Sequence, residues 1–452
     1  MQIVLPPSGS VLKILGAARP AEGGLRWMTY VLTCPVEGGV LAFHTLTRAL
    51  LLLSPEEFAA PDAVSALRSG WFRVPQTLND RSYADRVRFV LKTMRKKPQH
   101  ITSYTIFPTT DCNARCFYCY ELGRSRIPMS EAVARKTAAY IAGHCGGESV
   151  QLNWFGGEPL CNSAAIDTIC SELAAKGVAY SSTMISNAYL FDDALVQKAV
   201  AQWCLRRIQI TLDGTETVYN RSKAFVYRDG RSPYRVVTDN VGRLLNAGIS
   251  VKLRLNIDLR NADDLLLLAD RLHERFGGSK GLTVYTHALY SHTGSARRSR
   301  TAEERDLLCQ KQQALQERLA ALGLSGRHTL RRSLPTHRCM ADSGGALTVL
   351  PNGELGLCEQ YSEDHFVGHL DRPTLDGAVL RDFAAERPPL ADCERCFFYP
   401  ECIRLKQCSE QAECLAQTRA RLRTDTLRAM QSTYEAWLKK ETDEGEPPQV
   451  CL

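Results

Sequence analysis

The sequence predicts an α/β protein centred on a partial (β/α)6 barrel of the TIM type, with a small N-terminal α+β domain and a cysteine-rich C-terminal domain. Three observations lead to this prediction. Six β-rich segments alternate with helical segments between residues 103 and 322. A hairpin pattern precedes them, and seven cysteines follow them between residues 339 and 414. Strands that alternate with helices form right-handed βαβ units and a parallel sheet, and six such units stop short of a closed barrel.

Residues 1–98 have the pattern of a separate domain. The β-rich runs "RWMTYVLTCP" and "GVLAFHTL" are joined by "VEGG", which predicts a hairpin, and helical segments follow around "SPEEFAA" and "PDAVSALRSG". The basic stretch "RKKPQH" predicts a linker. Beyond it we expect four further parts, namely the barrel at 99–305, a bridging helical region at 306–338, the cysteine-rich domain at 339–415, and a C-terminal helix and tail at 416–452.

The barrel segment contains six strands and six helices by its pattern of apolar residues. The strands are predicted at 103–109, 149–155, 180–186, 206–212, 250–257 and 281–289, and the helices at 130–144, 163–176, 192–203, 234–247, 262–276 and 301–322. Polar motifs follow the first four strands and lie within the fifth: a cysteine trio, "FGGEP", "SNAYLF", "LDG" and "RLN". Since the βα loops of a parallel barrel meet at one face, we expect these motifs to form one active site.

The composition excludes several classes of protein. No apolar run approaches the ~20 residues of a membrane span, and the N-terminus lacks the features of a signal peptide, so we expect a cytoplasmic protein. Seventeen cysteines are about 4% of the chain, which is too few for a disulfide scaffold, and clustered cytosolic cysteines favour metal binding. The scattered cysteines are expected to be small buried hydrophobes, namely Cys34, Cys145, Cys161, Cys170, Cys204 and Cys309.

The stretch "TDCNARCFYCYE" holds three cysteines, Cys112, Cys116 and Cys119, with the spacing C-x3-C-x2-C. Thiolates are the preferred ligands of iron–sulfur clusters and are common at zinc. A zinc site usually pairs two C-x2-C knuckles or adds histidine, and neither lies near the trio in the sequence. The trio therefore predicts a metal centre with one open position; buried thiols or a zinc knuckle are the alternative.

With this trio directly after the first barrel strand, the chain resembles the radical S-adenosylmethionine (SAM) superfamily. The resemblance implies that Cys112, Cys116 and Cys119 hold three irons of a catalytic [4Fe-4S] cluster. In that family the fourth iron is chelated by the amino and carboxylate groups of SAM. An electron from the cluster then cleaves SAM and releases a 5′-deoxyadenosyl radical.

Further SAM contacts follow from the same resemblance. Tyr118 matches the aromatic position that packs on adenine, with ordinary loop packing as the alternative. The motif of Gly156, Gly157 and Glu158 matches the methionine-binding motif, in which glycines let the backbone approach the ligand and Glu158 can accept a bond from the ammonium group. A plain strand-to-helix turn is the alternative for this motif.

Three more positions are implied on the same basis. Asn187 lies where the family has a polar residue at the SAM ribose, and Arg221 resembles the arginine that meets the SAM carboxylate. Asp213, with Gly214 in "ITLDG", matches a recurrent motif near the substrate and is a candidate catalytic residue. The alternatives are a turn-forming Asn, a surface Arg and a structural loop Asp.

The second group of cysteines resembles a SPASM domain, which carries two auxiliary [4Fe-4S] clusters. The match runs as C-x13-G-x4-C and then C-x2-C-x5-C through Cys402, after which the spacing departs from the family pattern. The resemblance implies one auxiliary cluster on Cys393, Cys396, Cys402 and Cys414, and another on Cys339, Cys358 and Cys408. Cys408 and Cys414 could be exchanged, the fourth ligand of the three-cysteine cluster could be His337 or a substrate thiolate, and zinc is an alternative metal.

Many SPASM enzymes act on ribosomally made peptides, and residues 1–98 loosely resemble the winged-helix-like module that grips a leader peptide through an added β-strand. A plain packing domain is the alternative. The resemblance implies a maturase of ribosomally synthesised, post-translationally modified peptides, which forms a thioether between a core cysteine and a carbon of the precursor. We expect a flavodoxin or ferredoxin as reductant, and no nucleic-acid or membrane partner.

Three other functions remain open at this stage. One is an anaerobic sulfatase-type formylglycine-generating enzyme. Another is a radical SAM enzyme that forms carbon–carbon crosslinks or epimerises a peptide. The last is a zinc-stabilised peptide-binding module without catalysis.

Overall fold

The computed structural model describes residues 1–18, 24–119, 121, 123–226, 230–289, 300–326, 329–359, 366–372, 374–408, 414 and 416–443. The predicted C-terminal tail after residue 443 lies outside the described residues. The strands are β1 (Gln2–Leu5), β2 (Leu25–Trp27), β3 (Val31–Val36), β4 (Gly39–His44), β5 (Leu50–Leu53), β6 (Arg73–Pro75), β7 (Ser103–Thr109), β8 (Val150–Gly156), β9 (Tyr180–Ser186), β10 (Leu205–Thr211), β11 (Ser250–Ile257), β12 (Leu282–Ala288), β13 (Ala346–Val349), β14 (Glu354–Gly356) and β15 (Gly368–His369).

The α-helices are α1 (Gly9–Leu15), α2 (Pro55–Ala59), α3 (Ser65–Ser69), α4 (Asp80–Met94), α5 (Glu131–His144), α6 (Ser163–Ala175), α7 (Asp193–Ala201), α8 (Glu216–Lys223), α9 (Pro233–Asn246), α10 (Ala262–Phe276), α11 (Ala302–Ala321), α12 (Gly377–Ala384) and α13 (Ala416–Asp443). Short 3-10 helices lie at Pro61–Ala63, Pro159–Asn162, Met340–Asp342, Ala391–Arg395 and Tyr399–Glu401.

The chain divides into two compact units. The first, here called the barrel unit, comprises residues 97–326 and 339–384. The second, here called the small unit, comprises residues 1–96, 327–338 and 385–452. The bounds of the five parts predicted from the sequence stay predictions.

The barrel unit is built on a nine-stranded sheet with the order β12-β11-β10-β9-β8-β7-β13-β14-β15. Strands β7 to β12 are parallel and adjacent in chain order, β13 adds to β7 in parallel, and β14 and β15 are antiparallel. The predicted α/β class with six consecutive parallel strands is confirmed. Each of the six strands lies within one residue of its predicted bounds, whereas α8 was not predicted.

Burial alternates along some of the barrel strands and is clearest in β8, whereas β7 is buried almost throughout. In β8, Val150, Leu152 and Trp154 are buried, whereas Gln151 and Asn153 are half-buried. Such a period of two is the pattern of a sheet with one face covered by apolar helix surfaces and the other face lined with polar groups. The polar face of the barrel sheet is therefore available to line a site.

The small unit contains a four-stranded antiparallel sheet of order β1-β5-β4-β3 and a two-stranded ribbon of β2 and β6. The hairpin predicted around "VEGG" is confirmed, since β3 and β4 pair from Val31–His44 to Val36–Gly39. Residues far apart in sequence share its core: Tyr30 and Trp71 pack with Leu334 and Tyr399. The N-terminal residues and the segment that carries five of the second-group cysteines thus form one folded body.

The two longest helices, α11 and α13, carry charged side chains along their length. Helix α11 begins with a capping box in which Thr301 and Glu304 satisfy each other's backbone amides. Within the described ranges, no helix combines the length and the apolar character that a membrane span requires.

A buried ion pair holds the small unit together, and its loss can be measured. Arg48 is 1% exposed and pairs with Glu401, while its Nε donates to the carbonyl oxygen of Arg331 at 3.0 Å. Because Arg48→Met would leave Glu401 without this partner, we expect the unit to lose about 3 kcal/mol of unfolding free energy. Amide exchange in β3, β4 and β5 should then accelerate about a hundredfold.

Hydrogen-exchange mass spectrometry measures this effect peptide by peptide. Arg68→Met, at an exposed site on α3, serves as the matched control and should leave the exchange unchanged. Peptides of the barrel unit provide an internal reference. Equal exchange rates in the two variants would contradict a stabilising role for the ion pair.

Candidate active site and cysteine arrays

The candidate active site lies where five parallel strands of the barrel unit end. The loop after β7, residues 110–119, carries the first three cysteines and is called the cysteine loop below. The turn after β8 carries the "GGEP" motif, Asn187 follows β9, and Asp213 follows β10. Asn256 lies near the end of β11. The structure therefore places the sequence motifs at one edge of the sheet, where a parallel barrel forms its site.

The cysteine loop is folded by its own hydrogen bonds. The amide of Cys112 donates to Oδ1 of Asp111 at 2.8 Å, and the amide of Ala114 donates to Sγ of Cys112 at 3.4 Å. The guanidinium of Arg115 donates to the carbonyl oxygen of Cys112, and the amide of Cys119 to that of Cys116 at 3.1 Å. All three thiols are half-buried.

The two glycines of "GGEP" let the β8 turn pack directly against the backbone of the neighbouring loop. A Cβ atom at Gly156, whose φ is +108°, would lie 2.3 Å from the carbonyl oxygen of Thr109, and one at Gly157 would lie 2.2 Å from that of Asp111. The amide of Glu158 donates to the same Asp111 oxygen at 2.8 Å. Glycine is required here because backbone meets backbone, a constraint that the resemblance alone did not reveal.

Glu158 is fully buried and joins the turns after β8 and β9. Its Oε1 accepts from Oγ of Ser186 at 2.8 Å and from the amide of Leu160 at 3.2 Å, and its Oε2 accepts from the amide of Asn187 at 2.7 Å. Burial raises the pKa of Glu158 to about 7, because these hydrogen bonds only partly offset the lost hydration.

Asn187 lies beside the first cysteine of the trio. Its Nδ2 donates to Oδ1 of Asn113 at 2.7 Å and lies 3.9 Å from Sγ of Cys112, while its Oδ1 accepts from the amide of Tyr189 at 3.0 Å. The bond from Tyr189 is typical of an Asn that forms a turn. Asn187 therefore both forms a turn and lies beside Cys112.

The centre of the site is a buried ion pair between Asp213 and Lys223, with 3.0 Å between Oδ2 and Nζ. Lys223 also donates to the hydroxyl of Tyr118 at 2.6 Å and to that of Thr211 at 2.5 Å. The Tyr118 hydroxyl donates to Asp213, and Nδ2 of Asn256 donates to Oδ1 of Asp213 at 2.9 Å. Tyr118, expected at the adenine of SAM, therefore has its hydroxyl in this polar cluster.

Lys223 was missed in the sequence, whereas Arg221 was expected to lie in the site and Asn256 belongs to the "RLN" motif that was expected there. The structure places Arg221 on the exposed side of α8 and Lys223 at 2% exposure. Residues four apart on a helix share one face, and Tyr219, which is fully buried, shares the inner face with Lys223. The helical phase of the segment "TVYNRSK" was the signal that could have identified Lys223.

The charges around the cysteine loop are coupled. Burial alone would lower the pKa of Lys223, but Asp213 and the nearby Cys116 outweigh it and raise this pKa, so the ammonium form persists. Burial raises the pKa of Cys112, that of Cys116, and that of Cys119 to about 11. Thiols with such pKa values are protonated near neutral pH unless a cation binds them, and a metal centre supplies that cation.

The thiol ligands suit an iron–sulfur cluster by their chemistry, with three sulfur donors on one short loop and a lysine beside them. Within the part of the chain that is described, no three side chains of His, Cys, Asp or Glu are already arranged around a common metal position.

The scattered cysteines follow the prediction of burial only in part. Cys34, Cys145 and Cys170 are buried, as predicted, and Cys204 and Cys309 are half-buried. The prediction is wrong for Cys161, which is exposed because it follows the tight turn of "GGEP" at the edge of the sheet.

Comparison with known proteins identifies the fold. Residues 102–229 match a family described as a 4Fe-4S single cluster domain, and no curated protein matches the chain by sequence. The structure of native anSMEcpe with bound AdoMet (SAM) is 12% identical, with a TM-score of 0.55, and the alignment covers 76% of this chain and 100% of that one. The chain therefore has the fold of this AdoMet-bound structure.

Two further solved structures are similar to the chain to different degrees. Native anSMEcpe with bound AdoMet and Cp18Cys peptide has a TM-score of 0.54 at 13% identity, covering 76% of this chain and 99% of that one. Streptococcus suis SuiB bound to precursor peptide SuiA has a TM-score of 0.49 at 12% identity, covering 84% and 94%. The fold predicted from the cysteine trio and its strand is confirmed, and the matched family agrees with the predicted [4Fe-4S] cofactor.

Outside the barrel unit, four cysteines of the small unit lie near one another. Burial raises the pKa of Cys402 to about 11, and the positive charge of Arg88 opposes this rise. The neighbouring thiols of Cys396, Cys393 and Cys414 raise the pKa of Cys402 further. Backbone turns produce the grouping: the amide of Cys396 donates to the carbonyl oxygen of Cys393, and that of Cys402 to the carbonyl oxygen of Tyr399. These four are the cysteines assigned to one auxiliary cluster.

The remaining cysteines of the second group belong to different units. Cys408 lies in the small unit, where its carbonyl oxygen accepts from Arg387 at 3.3 Å, and His337 is exposed in the same unit. Cys339, which is exposed, and Cys358, which is half-buried, lie in the barrel unit. The grouping of Cys408 with Cys339 and Cys358 therefore stays a prediction.

The raised pKa of Glu158 predicts a pH-dependent stability. In the folded protein Glu158 binds its proton up to a pH of about 7, whereas the unfolded chain releases it near 4.5, the ordinary pKa of a glutamate side chain. The folded state thus holds more protons between these values, so the unfolding free energy should fall by roughly 3 kcal/mol as the pH rises through this window.

Denaturant unfolding from pH 5 to pH 8 tests this effect. Glu158→Gln cannot bind or release this proton. The unfolding free energy of the wild type minus that of the variant should therefore decrease steadily as the pH rises. Asp193→Asn, at an exposed carboxylate of the same unit, is the matched control. A difference that stays constant or rises with pH would show that Glu158 is ionised throughout.

Proposed function

We propose that this chain is a radical SAM enzyme in which Cys112, Cys116 and Cys119 hold a [4Fe-4S] cluster that binds SAM. The observation that carries the proposal is the placement of three thiols on one loop at the end of β7, in a fold shared with AdoMet-bound anSMEcpe. When bound, the cluster and SAM supply a 5′-deoxyadenosyl radical. The chain itself has to bind, orient and shield the reactants.

The residues around the cysteine loop have separate roles in this proposal. The "GGE" turn, with Gly156, Gly157 and Glu158, faces the methionine part of SAM and holds the cysteine loop through backbone packing. Asn187 binds the ribose of SAM. The 3.9 Å distance between its Nδ2 and Sγ of Cys112 supports this role, because it places the amide beside a cluster ligand. Tyr118 positions the loop against the polar cluster and offers its ring to the adenine.

Lys223 takes the role that the resemblance implied for Arg221. It is the buried cation that α8 places near Cys116, and Asp213 keeps it charged. Its three donors already have partners, so the SAM carboxylate would replace the hydroxyl of Tyr118 or of Thr211 on the ammonium group. Asp213 stays the fixed counter-charge beside the substrate.

We propose a ribosomally made precursor peptide as substrate and a thioether as product. The polar face of the barrel sheet supports a peptide, since Asn153, Thr183, Gln209 and Tyr285 line it; Thr183 now pairs with Asn153 and Tyr285 with Gln209, and backbone amides of a peptide would exchange for these bonds. A solved structure of the same fold contains a Cp18Cys peptide. In the small unit, the four clustered cysteines would hold an auxiliary [4Fe-4S] cluster, and the β-sheet would engage the leader.

The crosslinking step balances as follows. A hydrogen atom leaves a peptide carbon for the adenosyl radical, a proton leaves the cysteine thiol, and a carbon–sulfur bond forms. One electron is left over, and the second group of cysteines would provide its acceptor. Each crosslink therefore lowers the mass of the peptide by two hydrogen atoms.

The assigned role of Lys223 is testable by SAM binding. A charged hydrogen bond contributes about 1.5–3 kcal/mol, so Lys223→Met should weaken SAM binding about tenfold to a hundredfold. Arg221→Met, the matched control on the same helix, should change it less than about twofold. Equilibrium dialysis with the reconstituted protein measures both constants.

Two additional observations separate binding from folding in this experiment. Lys223→Arg retains the charge and should recover most of the affinity. The iron content of each variant reports whether the cysteine loop still assembles. A larger loss of SAM affinity in Arg221→Met than in Lys223→Met would show that Arg221, and not Lys223, contacts the SAM carboxylate.

The reaction itself is tested anaerobically with SAM, a reductant and a candidate precursor peptide that contains cysteine. We expect 5′-deoxyadenosine together with a peptide lighter by two hydrogens per crosslink, and neither product from Cys116→Ala. Cys309→Ala, a half-buried thiol on α11, is the matched control and should retain activity.

Other results identify the alternatives. A peptide of unchanged mass that incorporates deuterium from the solvent would indicate epimerisation, and loss of sulfur would indicate formylglycine. Purified protein with zinc and no sulfide would overturn the enzymatic proposal in favour of a peptide-binding module.

A further inference from the structure

One surface of the small unit has a strong excess of positive charge. Residues 86–96, which include the second half of α4, contain five Lys or Arg residues, and residues 329–338 contain three. These eight cations are accompanied by no Asp or Glu in either segment. Nη1 of Arg95 donates to the carbonyl oxygen of Thr336 at 3.4 Å, which joins the two segments into what is called the basic surface below.

A cavity of about 200 Å³ opens on the basic surface. Phe89 and Lys92 of α4 lie on one side of it, Leu334 and Pro335 on another, and Tyr399 also lines it. Phe89 is 71% exposed and Met94, on the same helix, is 72% exposed. Large apolar side chains surrounded by cations are typical of docking sites for proteins, because they supply contact area inside a charged rim.

The acids of the cavity are already neutralised. The carboxylate of Glu386 is shared by Arg88 at 2.7 Å and Lys92 at 2.6 Å. Asp85 pairs with Arg81 at 2.9 Å and accepts from the hydroxyl of Tyr399. The exposed cations around the cavity, Lys96 and Arg332 among them, therefore leave a net positive field.

The basic surface lies directly over the four clustered cysteines of the same unit. The carbonyl oxygen of Tyr399 accepts from Nη1 of Arg88 at 2.8 Å and from the amide of Cys402 at 3.1 Å. Two hydrogen bonds thus connect a cavity-lining side chain to a cysteine of this group. Cys393 and Cys396 pack against the core to which the inner face of α4 also contributes.

We propose that the basic surface is the docking site of an acidic one-electron carrier protein, of the flavodoxin or ferredoxin kind, which delivers an electron at this cysteine group. The proposal rests on the proposed function, since SAM cleavage consumes one electron. The carrier would be oxidised by one electron, the auxiliary cluster that these cysteines would hold would be reduced by one electron, and no atom is transferred. Opposite charges accelerate encounter and orient the partners, which suits a carrier that must dock briefly and leave.

An acidic leader peptide is the other occupant that the charge would admit. The carrier is favoured by the cysteines beneath the surface, because electron transfer needs a short path whereas leader binding does not. A leader that adds as a β-strand is also recognised by a sheet edge, and the basic surface is built from a helix and a loop.

The test is equilibrium binding of an oxidised flavodoxin to the full-length protein, followed through the flavin fluorescence. Lys96→Glu/Arg332→Glu reverses two exposed cations of the surface. It should lower the affinity about tenfold or more at low salt, and the difference should shrink at 0.15 M salt, where the Debye length is about 8 Å. Phe89→Ala should lower the affinity at both salt concentrations.

The matched control is Lys13→Glu/Arg68→Glu, which makes the same change of net charge at exposed sites of the same unit outside residues 86–96 and 329–338, the two segments of the basic surface. It should change the affinity less than about threefold. Equal losses in the two double variants would overturn the proposal, because net charge alone would then account for binding. Unchanged flavodoxin affinity with lost affinity for the precursor peptide would assign the surface to the leader instead.

A small reductant separates this inference from the proposed function. With titanium(III) citrate, the reversed variant should form 5′-deoxyadenosine at the wild-type rate, whereas with reduced flavodoxin it should form it more slowly. If the wild-type protein forms none with titanium(III) citrate, the proposed function fails, and the binding measurements still decide whether the surface docks an acidic carrier.

Discussion

The buried ion pair of Asp213 and Lys223 is the interaction on which the candidate site depends. Either charge alone would be costly at this depth, since both side chains are almost fully excluded from water. Together they join α8 to the end of β10. Tyr118 of the cysteine loop and Asn256 of β11 both donate hydrogen bonds to Asp213 and so link their segments to the pair. Four segments that are distant in sequence thus meet around one pair of charges, and the cysteine loop takes its position from them.

The opposite side of the cysteine loop is held by backbone rather than by charge. Gly156 and Gly157 press the β8 turn against the carbonyl oxygens of Thr109 and Asp111, and Glu158 fastens that turn to the one after β9. A loop held from two sides can present three thiols in a constant geometry although it contains no regular secondary structure. Such preorganisation is what a site needs when its cofactor performs the chemistry and the protein positions it.

In the small unit, contacts between distant segments also position cysteines of the second group. Its N-terminal sheet and helices share a hydrophobic core with the segment that carries Cys393 and Cys396, and Arg48 pairs with Glu401 from that segment. In the proposed function, the part that engages the peptide and the part that handles electrons therefore fold as one body. A substitution in one part would therefore affect the structure of the other through the side chains that pack between them.

The sequence by itself determined the six parallel strands, their helices and the two groups of cysteines, because strand periodicity and cysteine spacing are local signals. It also identified the edge of the sheet at which Asn187 and Asp213 lie. Only the tertiary structure decided that Lys223, and not Arg221, enters the site, and that the "GGE" glycines meet backbone. It alone placed residues 385–408 with the N-terminal unit. The choice of Lys223 depends on the phase of a helix that the sequence analysis did not predict, and the other features depend on contacts between distant segments, which spacing along the chain does not encode.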